Sequence, residues 1–337
     1  LATSINRRAA LGVGTAATAG VVFGSTSAAS ASPDSPPEQE VTETPAQRVR
    51  AAYRQAANRA GGRWRTYISV AGTAGGVTPV VAKDPDEPVQ AYSVNKIAVA
   101  AAVLDKVDRG LITLDQRIDV TSTLVIPGGD GIFSLDGAYP SSVTLGHGLA
   151  ALLTVSDDTA VRICGLVCPT LEINQILTDK GFPQTQVQPG SSPNRFFLGT
   201  TTPRETHDLL QALVNGTLVS PASTHFLLTA LRSPIAFTDG IRHNMSSDER
   251  LRVATKAGWY ADGRNEAGLI FNPAGAAVLT YAMFADGQAE PDNYGATHPV
   301  RQATAAMGRR FVDAVTDPPA SVSVPRQTPA YRPSNGG

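Results

Sequence analysis

The chain has 337 residues, 42% of them hydrophobic, enough to bury a substantial core in one large domain or two small ones. A formal net charge of −1 and few, scattered aromatics argue against a nucleic-acid partner, which would need a basic surface and a stacking platform.

The N-terminus reads as a targeting segment. Asn6-Arg7-Arg8-Ala9-Ala10-Leu11 is a twin-arginine core, followed by a mildly apolar run over 12–23 and small residues up to Ala29-Ser30-Ala31. This pattern predicts a twin-arginine signal over 1–31 and a secreted or extracytoplasmic destination. The competing reading is an arm that happens to contain Arg-Arg. The apolar run is too short and too rich in Gly, Ala and Thr for a stable membrane anchor. Residues 32–44 are rich in Pro, Glu and Ser and predict a flexible linker. A folded domain is expected over 45–316 and a disordered Pro-rich tail over 317–337.

Val49, Ala52, Tyr53 and Ala56 share one side of a helix expected over 47–60. Strands are expected over 66–71 and 79–82, with Gly-rich punctuation between them. From Ser93 to Asp158 the pattern is mostly helical, broken by the loop Pro127-Gly128-Gly129-Asp130-Gly131. Helices follow over 172–178 and 204–214, then strands over 256–259, 268–272 and 277–284. An amphipathic helix closes the domain over 300–315. Cys164 and Cys168 lie four apart, ahead of Pro169. They read either as buried thiols at a helix end or as a local disulfide that would distort the turn. Neither they nor the five histidines show a spacing that suggests metal or triad chemistry.

Ser93-Val94-Asn95-Lys96 opens an apolar, Ala/Val/Leu-rich stretch. Positions i and i+3 share a helix face, so the Lys96 amine can approach the Ser93 hydroxyl. A serine is a weak nucleophile until a base takes its proton, and a buried lysine with a lowered pKa can be that base. Two further stretches follow in order, Ser156-Asp157-Asp158 and Lys256-Ala257-Gly258.

This ordered set resembles S-x-x-K, S-D-N and K-T-G, the signature of class A β-lactamases and penicillin-binding proteins. Gly199-Thr200-Thr201-Thr202-Pro203 resembles the threonine-proline start of the helix after their Ω-loop. Residues 264–271 and 277–282 resemble their last two sheet strands. The likeness runs from about Pro45 to about Val315. It implies a β-lactamase/transpeptidase-like α+β fold, with an antiparallel sheet built from both chain ends and a helical lobe between them. The sequence pattern alone gives only α plus β.

The resemblance also implies roles. Ser93 would attack a carbonyl carbon, and Lys96 would accept its proton or hold it through water and Ser156. Ser156 would relay protons to the leaving group, aided by Lys256. The N–H groups of Ser93 and of a residue near Trp259, just past Gly258, would hold the oxyanion. Arg264 is a candidate carboxylate ligand or a hairpin-edge ion-pair partner. Phe133 is a candidate aromatic wall or a packing residue, and Trp259 and Tyr260 narrow the opposite side.

Three departures weaken the ordinary family chemistry. Asp158 stands where an asparagine amide donates to substrate, and an ionised carboxylate cannot donate. It could donate only if protonated, or it could instead pair with Lys96 and weaken it as a base. Ala257 lacks the hydroxyl that binds a substrate carboxylate, a loss of about 1.5–3 kcal/mol. Between Ile173 and Arg204 there is no glutamate to activate a deacylating water. Gln184, Gln186 and Gln188 cannot be general bases, and Glu172 falls on the preceding helix.

The expectation is an exported, monomeric serine hydrolase that forms an acyl-enzyme on Ser93. It would act on a small ester, amide or β-lactam-like molecule, with weak or no β-lactam turnover and no cofactor or metal. The alternatives are a D-alanyl-peptide peptidase, a β-lactamase with another deacylation base, and a non-catalytic β-lactam-binding protein.

Overall fold

A computed structural model describes residues 43–72 and 75–316. The expected export signal, nearly all of the linker and the Pro-rich tail lie outside the described residues. A five-stranded antiparallel sheet has the order β2-β1-β10-β9-β8. Its strands are β1 (Arg63–Ala71), β2 (Val77–Lys83), β8 (Val253–Tyr260), β9 (Gly263–Phe271) and β10 (Ala277–Asp286). Both ends of the described segment thus meet in one sheet. On one face lie α1 (Pro45–Ala60) and α9 (Pro299–Thr316). Thr44 starts α1 with a capping box, its hydroxyl accepting from Gln47 N while Gln47 Oε1 accepts from Thr44 N.

Successive side chains of a strand point to opposite faces, and the sheet is covered on both. On β10, Leu279, Tyr281 and Met283 pack with α1 and α9, while Ala282 and Phe284 pack with the helical lobe. Every residue of β9 is buried.

The lobe is built around α2 (Lys96–Asp108), whose residues from Lys96 to Leu104 are all buried. A helix apolar all round belongs in the middle of a bundle. Packed around it are α3 (Leu145–Thr154), α4 (Asp158–Val167), α5 (Thr170–Asp179) and α7 (Pro221–Arg232), while α6 (Pro203–Val214) lies against β1 and β10. Cys164 and Cys168 are free and buried in this core. Among the described residues no single helix is long and apolar enough to cross a membrane.

The helical expectation over 93–158 needs correction. Residues 109–144 are mostly turns, with the hairpin β4 (Arg117–Val120) and β5 (Ser141–Thr144). Arg117-Ile118-Asp119-Val120 alternates exposed and buried residues, a period of two rather than 3.6. A further small sheet joins β3 (Val89–Gln90), β7 (Phe196–Thr201) and β6 (Gln186–Pro189) in the order β3-β7-β6. The short α8 (Ser247–Arg250) precedes β8.

Candidate active site

Ser93 sits in a 3₁₀ turn, Tyr92–Asn95, that runs directly into α2. The turn is fixed from two sides. Asn95 Nδ2 donates to Leu198 O at 2.6 Å and Thr200 O at 3.0 Å, tying it to β7. Gly258 of β8 lies against its backbone: a Cβ there would stand 2.7 Å from Ala91 O, Ser93 N and Val94 N. Only a glycine allows this approach, and it brings the strand beyond Lys256 beside the Ser93 N–H.

Lys96, Ser156 and Lys256 converge on the same spot. Lys96 Nζ donates to Ser156 O at 2.5 Å, Ser156 Oγ at 3.1 Å and Asp158 Oδ1 at 2.9 Å. Lys256 Nζ donates to Ser156 Oγ at 2.9 Å and Ala257 O at 2.8 Å. Ser156 follows α3 with φ 57°, a left-handed conformation uncommon outside glycine. The strain holds its hydroxyl between the two amines. Burial lowers the pKa of both lysines. Asp158 opposes that shift at Lys96, whereas the adjacent Lys96 charge lowers Lys256 further.

Two adjoining cavities open on Ser93. One, of about 310 Å³, is lined by Ser93, Ser156, Lys256, Ala257 and Trp259, with Phe237 and Asp239 opposite. The other, of about 570 Å³, runs past Ser93 to Asp158, Gln188, Leu198 and Tyr260. Asp130 and Trp259 border both. Trp259 meets Phe237 edge to face, centroids 4.9 Å apart. Tyr260 is exposed at the rim, tilted against Tyr92.

Two residues singled out in the sequence stand apart from this group. Arg264, directly across the ladder from Trp259, is buried. Its guanidinium donates to the carbonyls of Ala261, Gly263, Pro291 and Asn293 and stacks over Tyr294. It lines neither cavity, because its two terminal nitrogens are held by those carbonyls and its planar face by the Tyr294 ring. Phe133 also lies outside both cavities and packs against the lobe core. Its backbone N–H donates to Asp157 Oδ2 at 2.9 Å.

Other parts of the site were given no role by the sequence. Asp157 is the buried N-cap of α4, accepting from Ala160 N with one oxygen and from Ile132 N and Phe133 N with the other. It thereby pins the 129–133 loop to the motif. Its sequence signals were its place in Ser156-Asp157-Asp158 and an Asp at a helix start. The wall of residues 235–239 was not anticipated, nor was the Arg301–Asp239 ion pair of 2.6 Å behind it.

The segment expected to supply a deacylating base folds as the β6–β7 hairpin, and Gln188 is the β6 residue facing the larger cavity. The nearest glutamates in sequence are otherwise engaged. Glu172 pairs with Lys106 at 2.6 Å, and Glu205 accepts from Gln184 N and the Thr185 hydroxyl.

A sheet made from both chain ends, a helical lobe, and a serine with two buried lysines at their junction define a serine-hydrolase class of two-lobed α+β protein. The profile of the beta-lactamase enzyme family matches residues 46–315, and the chain belongs to that family. A search of curated proteins finds no match. Solved structures share the fold. A beta-lactamase from Sphaerobacter thermophilus DSM 20745 is 24% identical, with a TM-score of 0.65, covering 79% of this chain and 95% of its own. An ancestral class A beta-lactamase (GNCA) is 23% identical, TM-score 0.64, covering 79% and 99%. The protein described as PBP-A is 20% identical, TM-score 0.62, covering 79% and 96%.

Proposed function

We propose that this chain is an exported serine hydrolase that forms an acyl-enzyme on Ser93 and acts on an ester or amide lacking the carboxylate of ordinary β-lactams. The observation that carries the reading is the convergence of Lys96 and Lys256 on Ser156, which lines with Lys256 a cavity that also exposes Ser93. The loss of anionic recognition is supported by three residues. Ala257 lines the cavity without a hydroxyl, Arg264 is turned away onto carbonyls, and Arg301 is paired with Asp239. Slow or absent β-lactam turnover is supported by the lack of a glutamate between Ile173 and Arg204, since Gln188, the β6 residue on the larger cavity, cannot act as a general base.

The acyl-enzyme forms when Ser93 Oγ adds to the carbonyl carbon. The oxygen's growing charge is met by the Ser93 N–H and a β8 N–H near Trp259. The twin-arginine pattern at 6–11 supports a site of action outside the cytoplasm.

The test is intact-mass analysis of wild type and Ser93→Ala with benzylpenicillin and with 4-nitrophenyl acetate. Ester turnover that requires Ser93, with little or no penicillin reaction, is the expected result. A stable penicilloyl adduct would favour a penicillin-binding protein, and rapid penicillin hydrolysis would refute the assignment. Silence toward both reagents would leave a binding protein.

A further inference from the structure

Ser156 Oγ lies between two amines, and its hydroxyl has one proton, so it can donate toward only one of them. Asp158 breaks the symmetry. Each of the three protons of a Lys96 ammonium has an acceptor, namely Ser156 O, Ser156 Oγ and Asp158 Oδ1. An amine in that geometry has no lone pair to offer Ser93. Lys256 touches only Ser156 Oγ and one carbonyl, Ala257 O. A neutral amine satisfies both contacts by donating to the carbonyl and accepting from the hydroxyl.

We propose that Lys256, reached through the Ser156 hydroxyl, is the proton acceptor for Ser93 in this chain, and that Asp158 fixes Lys96 as a permanent ammonium beside it. The inference rests on the acyl-enzyme reading above. With a neutral asparagine at 158 the two amines would differ much less; the carboxylate makes them unequal.

The electrostatics agree. Lys256 is fully enclosed and faces the Lys96 charge, with Asp130, Asp158 and Glu266 only partly offsetting it. Burial leaves Lys96 below its ordinary value as well, but less far than Lys256, because Asp158, Asp130 and Asp157 oppose the shift. The step balances without a co-reactant. The Ser93 proton passes to Ser156 Oγ, directly or through one water, as the Ser156 proton passes to Lys256 Nζ. Ser93 Oγ bonds to the acyl carbon and the carbonyl electron pair moves onto oxygen. When the intermediate collapses, the leaving group takes the proton back along the same path.

The test is a ¹³C NMR pH titration of protein labelled at lysine Cε, whose shift reports the charge of each amine. The chain has only five lysines, and Lys96→Met and Lys256→Met assign the two signals. If either variant fails to fold, Asp158→Asn in the wild-type background identifies Lys96 as the amine that contacts residue 158. In wild type at pH 8 the Lys256 signal should be that of a neutral amine and the Lys96 signal that of an ammonium. Asp158→Asn should lower the Lys96 titration by about one pH unit or more. A neutral Lys96, or two ammonium signals at pH 9, would overturn the proposal. A parallel pH profile of Ser93 acylation by 4-nitrophenyl acetate separates the two levels of inference. An adduct formed with a charged Lys256 refutes the relay, whereas no adduct with a neutral Lys256 refutes the acyl-enzyme reading.

Discussion

Glu266 offers a stability measurement that probes the same sheet from behind the catalytic strand. It lies across the β8–β9 ladder from Ala257 and is buried. Its carboxyl accepts from the Thr255 hydroxyl at 2.7 Å and from Ile241 N at 3.1 Å. The Tyr281 hydroxyl donates in turn to Thr255 Oγ1. Arg242 is nearby, but its guanidinium serves the carbonyls of Leu231, Ser233, Ala236 and Val253. Burial without a direct cationic partner pushes the Glu266 carboxyl from 4.5 up to about 7.

The folded state therefore binds this proton more tightly than the unfolded chain does. Its contribution is fully favourable below about pH 4.5, falls as pH rises to about 7, and is flat beyond. At about 1.4 kcal/mol per tenfold change, the loss across that window is roughly 3 kcal/mol. Glu266→Gln is neutral throughout and removes this slope. Urea denaturation of wild type and variant at pH 5, 6, 7 and 8 tests it, because other titrating groups cancel in the difference. The variant should gain on wild type by roughly 2.5 kcal/mol between pH 5 and pH 8, whatever its absolute stability. A difference that stays constant with pH would refute the reasoning. The window also matters for the cavity, since Glu266 holds Ile241 at the base of the 235–239 wall.

Other substitutions test the site itself. Gly258→Ala should fold but lower Ser93 acylation by about 100-fold, because its methyl would displace the Ser93 turn on the scale that misaligns a reacting atom; stopped-flow ester kinetics measure it. Ala257→Thr should restore a carboxylate-binding hydroxyl and raise affinity for a β-lactam by roughly 10- to 100-fold, read as the inhibition constant against ester turnover. Asp157→Ala removes a helix cap and strands the Ile132 and Phe133 N–H groups. It should cost about 2–4 kcal/mol, measured by urea denaturation, and loosen the Asp130 side of the cavity.

The sequence made legible whatever rests on short-range pattern. Helices α1, α5, α6 and α9 follow from apolar spacing, and the sheet strands from β-branched runs between turn residues. The three motifs identified the four residues that converge. Residues 109–144 escaped because their apolar residues pack from turns rather than along one helix face, and the β4–β5 pairing joins segments twenty residues apart. The β6–β7 hairpin contains Pro and Gly-Ser-Ser-Pro, which read as loop. Arg264 shows a deeper limit. Its position on β9 could be read, but its direction depends on the carbonyls of Pro291 and Asn293, which arrive from a loop almost thirty residues later.

The departures from the family pattern are best understood together, because each removes or engages a group that could donate to a substrate. Asp158 replaces a neutral amide donor with a carboxylate and spends it on Lys96. Ala257 deletes a hydroxyl donor beside the nucleophile. Arg264 and Arg301, the two arginines stacked near Trp259, are committed to loop carbonyls and to Asp239. Loss of function alone would not be expected to keep Lys96 and Lys256 buried, since an uncompensated buried amine is costly to fold around. Both are retained, each fully engaged with Ser156. The pattern supports the proposed reading, in which the nucleophile is retained while recognition of an anionic substrate is reduced.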